Sequence, residues 1–344
     1  MIFSWTLVTM EGAVIDGKYR IERKFGIGSH GVVYVGTDLD TKENVAMKME
    51  RVDATHGHLY HEYRVYRAIS GTTGIPKARW YGTDTVHLIL VMDFLGPTLG
   101  ELFMLCGHKF SVKTVLMLAD QLIERIEHLH ARNFLHRDLK PDNILMGPIG
   151  EKENVVHIID FGLAKSFRDP KTLCHIPEMP TKGFTGTARY ASINHHNGVE
   201  QSRRDDMESL GYLLLYFLRG NLPWQDVMPD ANLKQTIHET MLLKKMATSI
   251  ESLCESHPKE FASYFHYCRS LGFEDTPDYA YLRKLFRDLF LREGFQYDNM
   301  FDWNTLHQQT AQSSTAVPRL PVSEIDMVPG VKDGHGAPET VKPA

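Results

Sequence analysis

Cysteine is scarce in this chain of 344 residues: Cys106, Cys174, Cys254 and Cys268 form no CxxC pair and no metal-type spacing. That excludes a dense disulfide framework and points to a reducing compartment. An excess of positive charge is missing too, since 38 Lys and Arg against 43 Asp and Glu leave a net charge of −5. A generally basic nucleic-acid surface is thereby excluded, and any anion binding must be local. No apolar run is long enough to span a bilayer, and the apolar start Met1–Met10 lacks a basic leading region. Residues 1–17 are expected to be a disordered leader, with Met10 as an alternative start. From Leu306 onward Gln, Ser, Thr, Pro and Gly dominate without an apolar period, which predicts a disordered tail over 305–344. No internal repeat is present. Histidine is abundant, but neither His56–His61 nor His195-His196 has a cysteine or second histidine pair nearby, so a structural role is favoured over a metal site.

What is present is apolar residue in plenty, 42% of the chain, enough for a sizeable core. From about Tyr19 to Val91 short β-type runs alternate with glycine and polar turns, interrupted by one helical pattern around Leu59–Ile69. Gly96-Pro97 then breaks regular structure, and long helical periodicity begins. Val115, Leu118, Leu122, Ile126 and Leu129 recur at steps of three and four, as one buried helix face should. Leu210–Leu218 is apolar on all sides and reads as a buried central helix. The expected architecture is α+β and bilobal, with a β-rich lobe carrying one helix over 18–93 and a mainly helical lobe over 94–304.

The chemistry-bearing residues form an ordered set. Gly26-Ile27-Gly28-Ser29-His30-Gly31 is followed by Val32-Val33-Tyr34-Val35, which reads as a strand. A dinucleotide-binding glycine motif would open a helix instead, so an oxidoreductase of that kind is excluded. Val45-Ala46-Met47-Lys48 comes next, with Glu62 in the helical segment, then His136-Arg137-Asp138-Leu139-Lys140-Pro141-Asp142-Asn143 and Asp160-Phe161-Gly162. In this order they resemble the motifs of protein kinases. The resemblance implies ATP and Mg²⁺ as cofactors. Lys48 would meet the α- and β-phosphates with Glu62 as its partner. Asp138 would accept the proton of the substrate hydroxyl, and Asn143 and Asp160 would be metal ligands.

A narrower resemblance lies further on. Thr185-Gly186-Thr187-Ala188-Arg189-Tyr190-Ala191-Ser192-Ile193-Asn194 stands where most protein kinases carry Ala-Pro-Glu. With Glu200-Gln201-Ser202-Arg203-Arg204-Asp205-Asp206, Leu222-Pro223-Trp224-Gln225 and Phe273-Glu274-Asp275-Thr276-Pro277-Asp278-Tyr279, it resembles the casein kinase 1 family over about residues 18–304. Membership implies the bilobal protein-kinase fold and transfer of the ATP γ-phosphate to Ser or Thr of acidic or phospho-primed proteins. The rival reading is a pseudokinase or scaffold of the same fold that signals by binding.

By the same resemblance Lys140 meets the transferred phosphate, Thr187 steadies Asp138 and Lys140, and Asp206 bonds back to the catalytic-loop backbone. The nucleotide would lie against Phe25, Gly26, Gly28, Gly31, Val33, Ala46, Lys48, Met92, Leu145 and Ile159, with backbone groups of Asp93 to Leu95 on the base. Arg189 and Gln225 match one substrate anion site, and Arg137, Lys165 and Lys182 a second. The expected protein is a monomer that acts on acidic protein substrates, without nucleic-acid contact or membrane insertion. Its expected place is the cytoplasm, the nucleus being the alternative.

The chain departs from the family at points that bear on specificity. Asp226 replaces the glycine that usually follows the glutamine, and around Leu233–Ile237 only Lys234 remains of a basic cluster. A carboxylate beside an anion pocket opposes a phosphate by about 1–4 kcal/mol at contact, so a weakened preference for primed substrates is expected. His30 takes the glycine-loop tip, where the family prefers a bulky aromatic. Ser313, Ser314, Thr315 and Ser323 are expected to let the tail fold back on the activation region after autophosphorylation.

Overall fold

The computed structural model describes residues 10–28, 31–52, 58–150, 152–181, 183–228 and 236–306. His30, His56, Lys182, Lys234 and the tail residues Ser313, Ser314, Thr315 and Ser323 lie outside the described residues.

Alternation of side chains builds the first lobe. In β4 (Asn44–Arg51), Val45, Met47 and Met49 are fully or almost fully buried on one face, while Ala46, Lys48 and Glu50 share the other. The strand sits in an antiparallel six-stranded sheet with β1 (Val14–Ile15), β2 (Tyr19–Gly28), β3 (Gly31–Asp38), β5 (Ala78–Thr83) and β6 (His87–Asp93), in the order β1-β2-β3-β4-β6-β5. Val45, Met47 and Met49 pack with Ile15, Tyr19, Ile21, Ile89 and Val91 into a small core of their own. The opposite face is covered by α1 (His58–Ala68), whose start is fixed by Glu50, with Oε2 accepting the Leu59 N–H at 3.0 Å.

One boundary needs correction. The leader expected over 1–17 already contains β1, which pairs Val14 with Arg20 and Ile15 with Tyr19, and Ile15 is buried. Two residues are too short to display a period, so only the pairing with β2 reveals the strand.

The second lobe is helical. α2 (Leu99–Leu105) opens with a capping box between Thr98 and Glu101. α3 (Val112–Ala131) buries Val115, Leu118, Leu122, Ile126 and Leu129 as expected, and Leu116, Met117, Ala119 and Ile123 besides. It is enclosed on more than the single face that the stripe implied, because it packs against both α5 (Arg203–Arg219) and α9 (Tyr279–Arg292). Leu210–Leu218 is buried throughout. The remaining helices are α4 (Ile193–His196), α6 (Ile237–Ala247), α7 (Ile250–Leu253) and α8 (Lys259–Ser270). Two small antiparallel ribbons, β7 (Phe134–Leu135) with β10 (Lys165–Ser166) and β8 (Ile144–Met146) with β9 (Val156–Ile158), bracket the loops that carry the chemistry.

Candidate active site

Lys48 lies on the α1-facing side of β4 and is nearly enclosed. Its Nζ is 2.7 Å from Glu62 Oε2 and 2.8 Å from Asp160 Oδ1. Burial alone would lower the lysine pKa, but the two carboxylates outweigh it and raise it, so the side chain is a fixed cation. Burial also opposes ionisation of Asp160, yet Lys48, Lys140 and His136 hold its carboxyl below the ordinary value. Glu62, fully buried, is pushed up by burial despite Lys48. A lysine, a helix carboxylate and a loop carboxylate far apart in sequence thus meet at one point.

Helix α1 also clasps the loop that bears Asp160. The Asp160 N–H donates to the Tyr66 hydroxyl at 3.2 Å, the Tyr66 ring stands edge-on to Phe161 at 4.9 Å, and His61 Nε2 lies 2.7 Å from the Ala164 carbonyl oxygen. The last contact places His61 in a structural role. Asp160 itself has φ of 65°. For a non-glycine residue this left-handed conformation is sparsely populated and persists only where the surroundings over-determine it.

The catalytic-loop candidates converge on Asp138, which is buried. Lys140 Nζ lies 2.9 Å from Oδ2, the Thr187 hydroxyl donates to Oδ1 at 2.7 Å, and Asn143 Nδ2 donates to the Asp138 carbonyl at 2.9 Å. Gly186 permits this approach: its φ is 83°, and a Cβ there would come within 2.6 Å of the Arg137 carbonyl oxygen. The Asp138 N–H donates to His136 Nδ1 at 3.2 Å, so the His136 Nε2–H faces the Ile159 carbonyl at 3.0 Å and ties this loop to the Asp160 loop.

Beneath the loop, Asp206 at the start of α5 is fully buried. It accepts the N–H of His136 at 2.8 Å and of Arg137 at 3.0 Å, and lies 2.8 Å from His130 Nε2. Burial pushes the Asp206 carboxyl up, but His130 and these backbone donors bring it below the ordinary value. Arg137, with φ of 68°, is a second strained residue, and Asp206 holds it there.

Sheet register gathers the candidate nucleotide residues. Val33 stands opposite Lys48, and Ala46 opposite Met92, on one face of the sheet. Leu145 on β8 and Ile159 just after β9 come from the helical lobe. Gly26 and Gly28 pair with Val33 and Gly31, and a Cβ on Gly31 would collide with the Met49 carbonyl. Phe25, set outside the paired ladder by register shifts in β2, is half exposed and meets Phe94 edge-on at 6.1 Å. The Asp93 side chain takes Arg79 and the Lys77 N–H, and its own N–H donates to Lys77 O.

The donor set fits a hard cation. Asn143 spends its amide nitrogen on Asp138 and Asp160 spends one oxygen on Lys48, so an amide oxygen and a carboxylate oxygen remain, the ligand type that Mg²⁺ takes.

The two anion-site groups are placed less simply. Arg189 lies over the rings of Tyr190 and Tyr216, each at 5.9 Å, and its carbonyl accepts the Trp224 Nε1–H at 2.8 Å. Gln225 follows, its buried Oε1 without a partner among the described residues, and Asp226 is exposed. Arg137 and Lys165 line one cleft of about 440 Å³ together with His195 and Glu200. Among the described residues of this cleft the cations are thus joined by a carboxylate. Glu200 lies 2.9 Å from Lys165 Nζ, and Arg137 Nε donates to the Leu163 carbonyl at 2.7 Å. His195 Nε2 and His196 Nε2 likewise lie 2.8 and 3.1 Å from the Thr185 and Ala188 carbonyl oxygens, with the Phe184 ring tilted against both.

Sequence reasoning missed Tyr66 and the side-chain contacts of Phe94 and Glu200. Tyr66 carried a usable signal, since a residue four positions after Glu62 lies on the same helix face and must meet what Glu62 meets. Phe94 and Glu200 had none, because each matters through a neighbour brought in by the tertiary fold.

A β-lobe and a helical lobe with a buried lysine–carboxylate cluster beside a tethered aspartate describe an enzyme class that positions a phosphoryl group. Consistent with this, residues 19–272 match the family model described as protein kinase domain. The chain belongs to the protein kinase family, whose domain uses ATP and Mg²⁺ and acts on protein substrates. Among the described residues, no helix is long and apolar enough to cross a membrane.

Proposed function

We propose that this protein is an active serine/threonine kinase of the casein kinase 1 type that modifies acidic proteins. The observation that carries the reading is the set of contacts on Asp138: Lys140 on one carboxylate oxygen and the Thr187 hydroxyl on the other. A lysine two residues after the catalytic aspartate is the serine/threonine-type arrangement. With both oxygens oriented, Asp138 can receive a hydroxyl proton while Lys140 faces the transferred phosphate. Lys48 holds the α- and β-phosphates, kept charged by Glu62. Asp160 and Asn143 would hold Mg²⁺, which would supply positive charge beside the phosphates. The tethering of Asp160 to Tyr66 and of His136 to Ile159 O supports an active enzyme over a scaffold, because reactive groups are pre-set without a partner.

Arg189 supports a preference for acidic residues in the substrate, while Asp226 and the Lys165–Glu200 pair argue for a modest one. The cytoplasm is the proposed location, in keeping with four unpaired cysteines. The test is transfer from labelled ATP to matched serine and tyrosine peptides with upstream alanine, aspartate or phosphoserine. Serine transfer favoured by aspartate, with only a small further gain from phosphoserine, is expected. Asp226→Gly should enlarge that gain. Absence of transfer, or preference for tyrosine, would overturn the reading.

A further inference from the structure

Lys245, on α6, has no exposed surface. Among the described residues no carboxylate lies within ion-pairing distance of it. Its Nζ donates instead to the Ala188 carbonyl at 2.9 Å and the Ala191 carbonyl at 2.6 Å, and lies 3.1 Å from His196 Nε2. The rings of Tyr212 and Trp224 face it at 5.0 and 5.2 Å, and Glu208 and Arg269 are the charges that act on it. Burying an amine against carbonyls and rings costs solvation that an apolar side chain would not lose. What the amine adds is direction.

Ala188 and Ala191 bracket Arg189 and Tyr190. The Arg189 carbonyl is held in turn by Trp224, whose ring also faces Lys245. Three carbonyls in four residues are therefore fixed by side chains from outside the segment. We propose that Lys245 is a positioning residue for the protein substrate: it fixes the main chain from Ala188 to Ala191 and so aims Arg189 at acidic residues of the bound polypeptide. This rests on the reading of Arg189 given above.

The clamp survives a change in protonation. Burial brings the Lys245 pKa down to about 7, against the pull of Glu208, and burial with Lys245 lowers that of His196 to about 3. The ammonium form donates to the two carbonyls and, in the tautomer that leaves His196 Nε2 unprotonated, to that nitrogen as well. The amine form still offers two N–H groups, and its lone pair can face a His196 Nε2–H.

The test uses the full-length kinase with Lys245→Met, which keeps length and apolar contact, and Lys245→Gln, which keeps two N–H donors. Both are compared with wild type for peptide KM, ATP KM, kcat and amide hydrogen exchange. For Lys245→Met the peptide KM should rise roughly tenfold, the size of one lost well-aligned contact to a charged partner. ATP KM and kcat should stay within about twofold, and Lys245→Gln should fall between. Exchange should quicken at residues 189–193 and not around Asp138. An unchanged exchange rate and peptide KM in Lys245→Met, or a fall in kcat and ATP affinity in step with peptide affinity, would overturn the proposal. If the Met variant does not fold, the Gln variant is read by the same criteria. Exchange needs no turnover, so it decides the clamp even for an inactive protein. Loss of the wild type's preference for aspartate peptides on Arg189→Ala tests the substrate reading separately.

Discussion

At the level of single residues, Asp138, Asp160 and Lys48 can be separated by what each isostere removes. Asp138→Asn keeps volume and some hydrogen bonding but loses basicity, so turnover should fall by about 10²–10⁴, the usual worth of a positioned acid or base. Its melting transition should stay near wild type because no cavity forms. Asp160→Asn should reduce transfer to background through loss of a metal-binding charge, with wild-type turnover in pure protein contradicting the assignment. Lys48→Met poses a different problem, since it leaves Glu62 buried without its counter-ion. Breaking a buried pair from one side costs about 3–5 kcal/mol, whereas removing both charges costs far less. Urea unfolding should therefore show Lys48→Met strongly destabilised and Lys48→Met/Glu62→Gln partly restored. Equal stability of the two variants would show that Asp160, and not Glu62, is the partner that matters.

At the level of elements, α1 and the Asp160 loop act as one unit. Glu62, Tyr66 and His61 of a single helix bind Lys48, the Asp160 amide and the Ala164 carbonyl. Tyr66→Phe keeps the ring against Phe161 and deletes only the hydroxyl that accepts the Asp160 N–H. One lost hydrogen bond is worth about 1 kcal/mol, or roughly fivefold in the population of the aligned loop. A decrease of that order in kcat, with peptide KM unchanged and faster exchange at the Asp160 amide, is the expected outcome. A kcat equal to wild type would mean that the Lys48–Asp160 contact alone aligns the loop.

The same helix shows what sequence can and cannot convey. Its existence was legible from the apolar spacing over Leu59–Ile69, and Glu62 from the kinase-like order of motifs. That Tyr66 touches Asp160 was not, since it depends on how the helix leans against a loop 94 positions further along the chain. Likewise the apolar stripe of α3 was visible, while its near-complete enclosure follows from the two helices that pack on it.

At the level of the whole molecule, buried titrating groups set the response to acid. Burial lowers the pKa of His195 and, with Lys245, that of His196 to about 3, whereas both titrate near 6.5 when unfolded. The unfolded chain takes up these protons first. The stability these residues support is complete above pH 6.5 and is lost as pH falls toward their folded values, by up to about 1.4 kcal/mol per pH unit for each. Asp205 works in the opposite sense, because burial raises its pKa to about 7 and its neutral form is favoured on folding as pH falls through that range. The comparison to make is thus between variants. His196→Gln should lose stability less steeply than wild type between pH 6.5 and 5 in chemical unfolding, and identical slopes would show that His196 charges without cost in the fold.

The sequence by itself determined the two-lobed α+β plan, the order of the kinase-like motifs and the choice of Lys48, Glu62, Asp138, Asn143 and Asp160 as candidates. It could do so because strand alternation, helix spacing and short motifs are local properties of the chain. Only the tertiary structure decided that β1 extends the sheet past the expected boundary and that Phe25 stands half exposed. It also decided that Glu200 lines one cleft with Arg137 and Lys165 and that Lys245 bonds the Ala188 and Ala191 carbonyls on either side of Arg189. Each of these is a contact between distant positions, set by which faces pack and by which buried polar groups must find partners, and no local pattern encodes it.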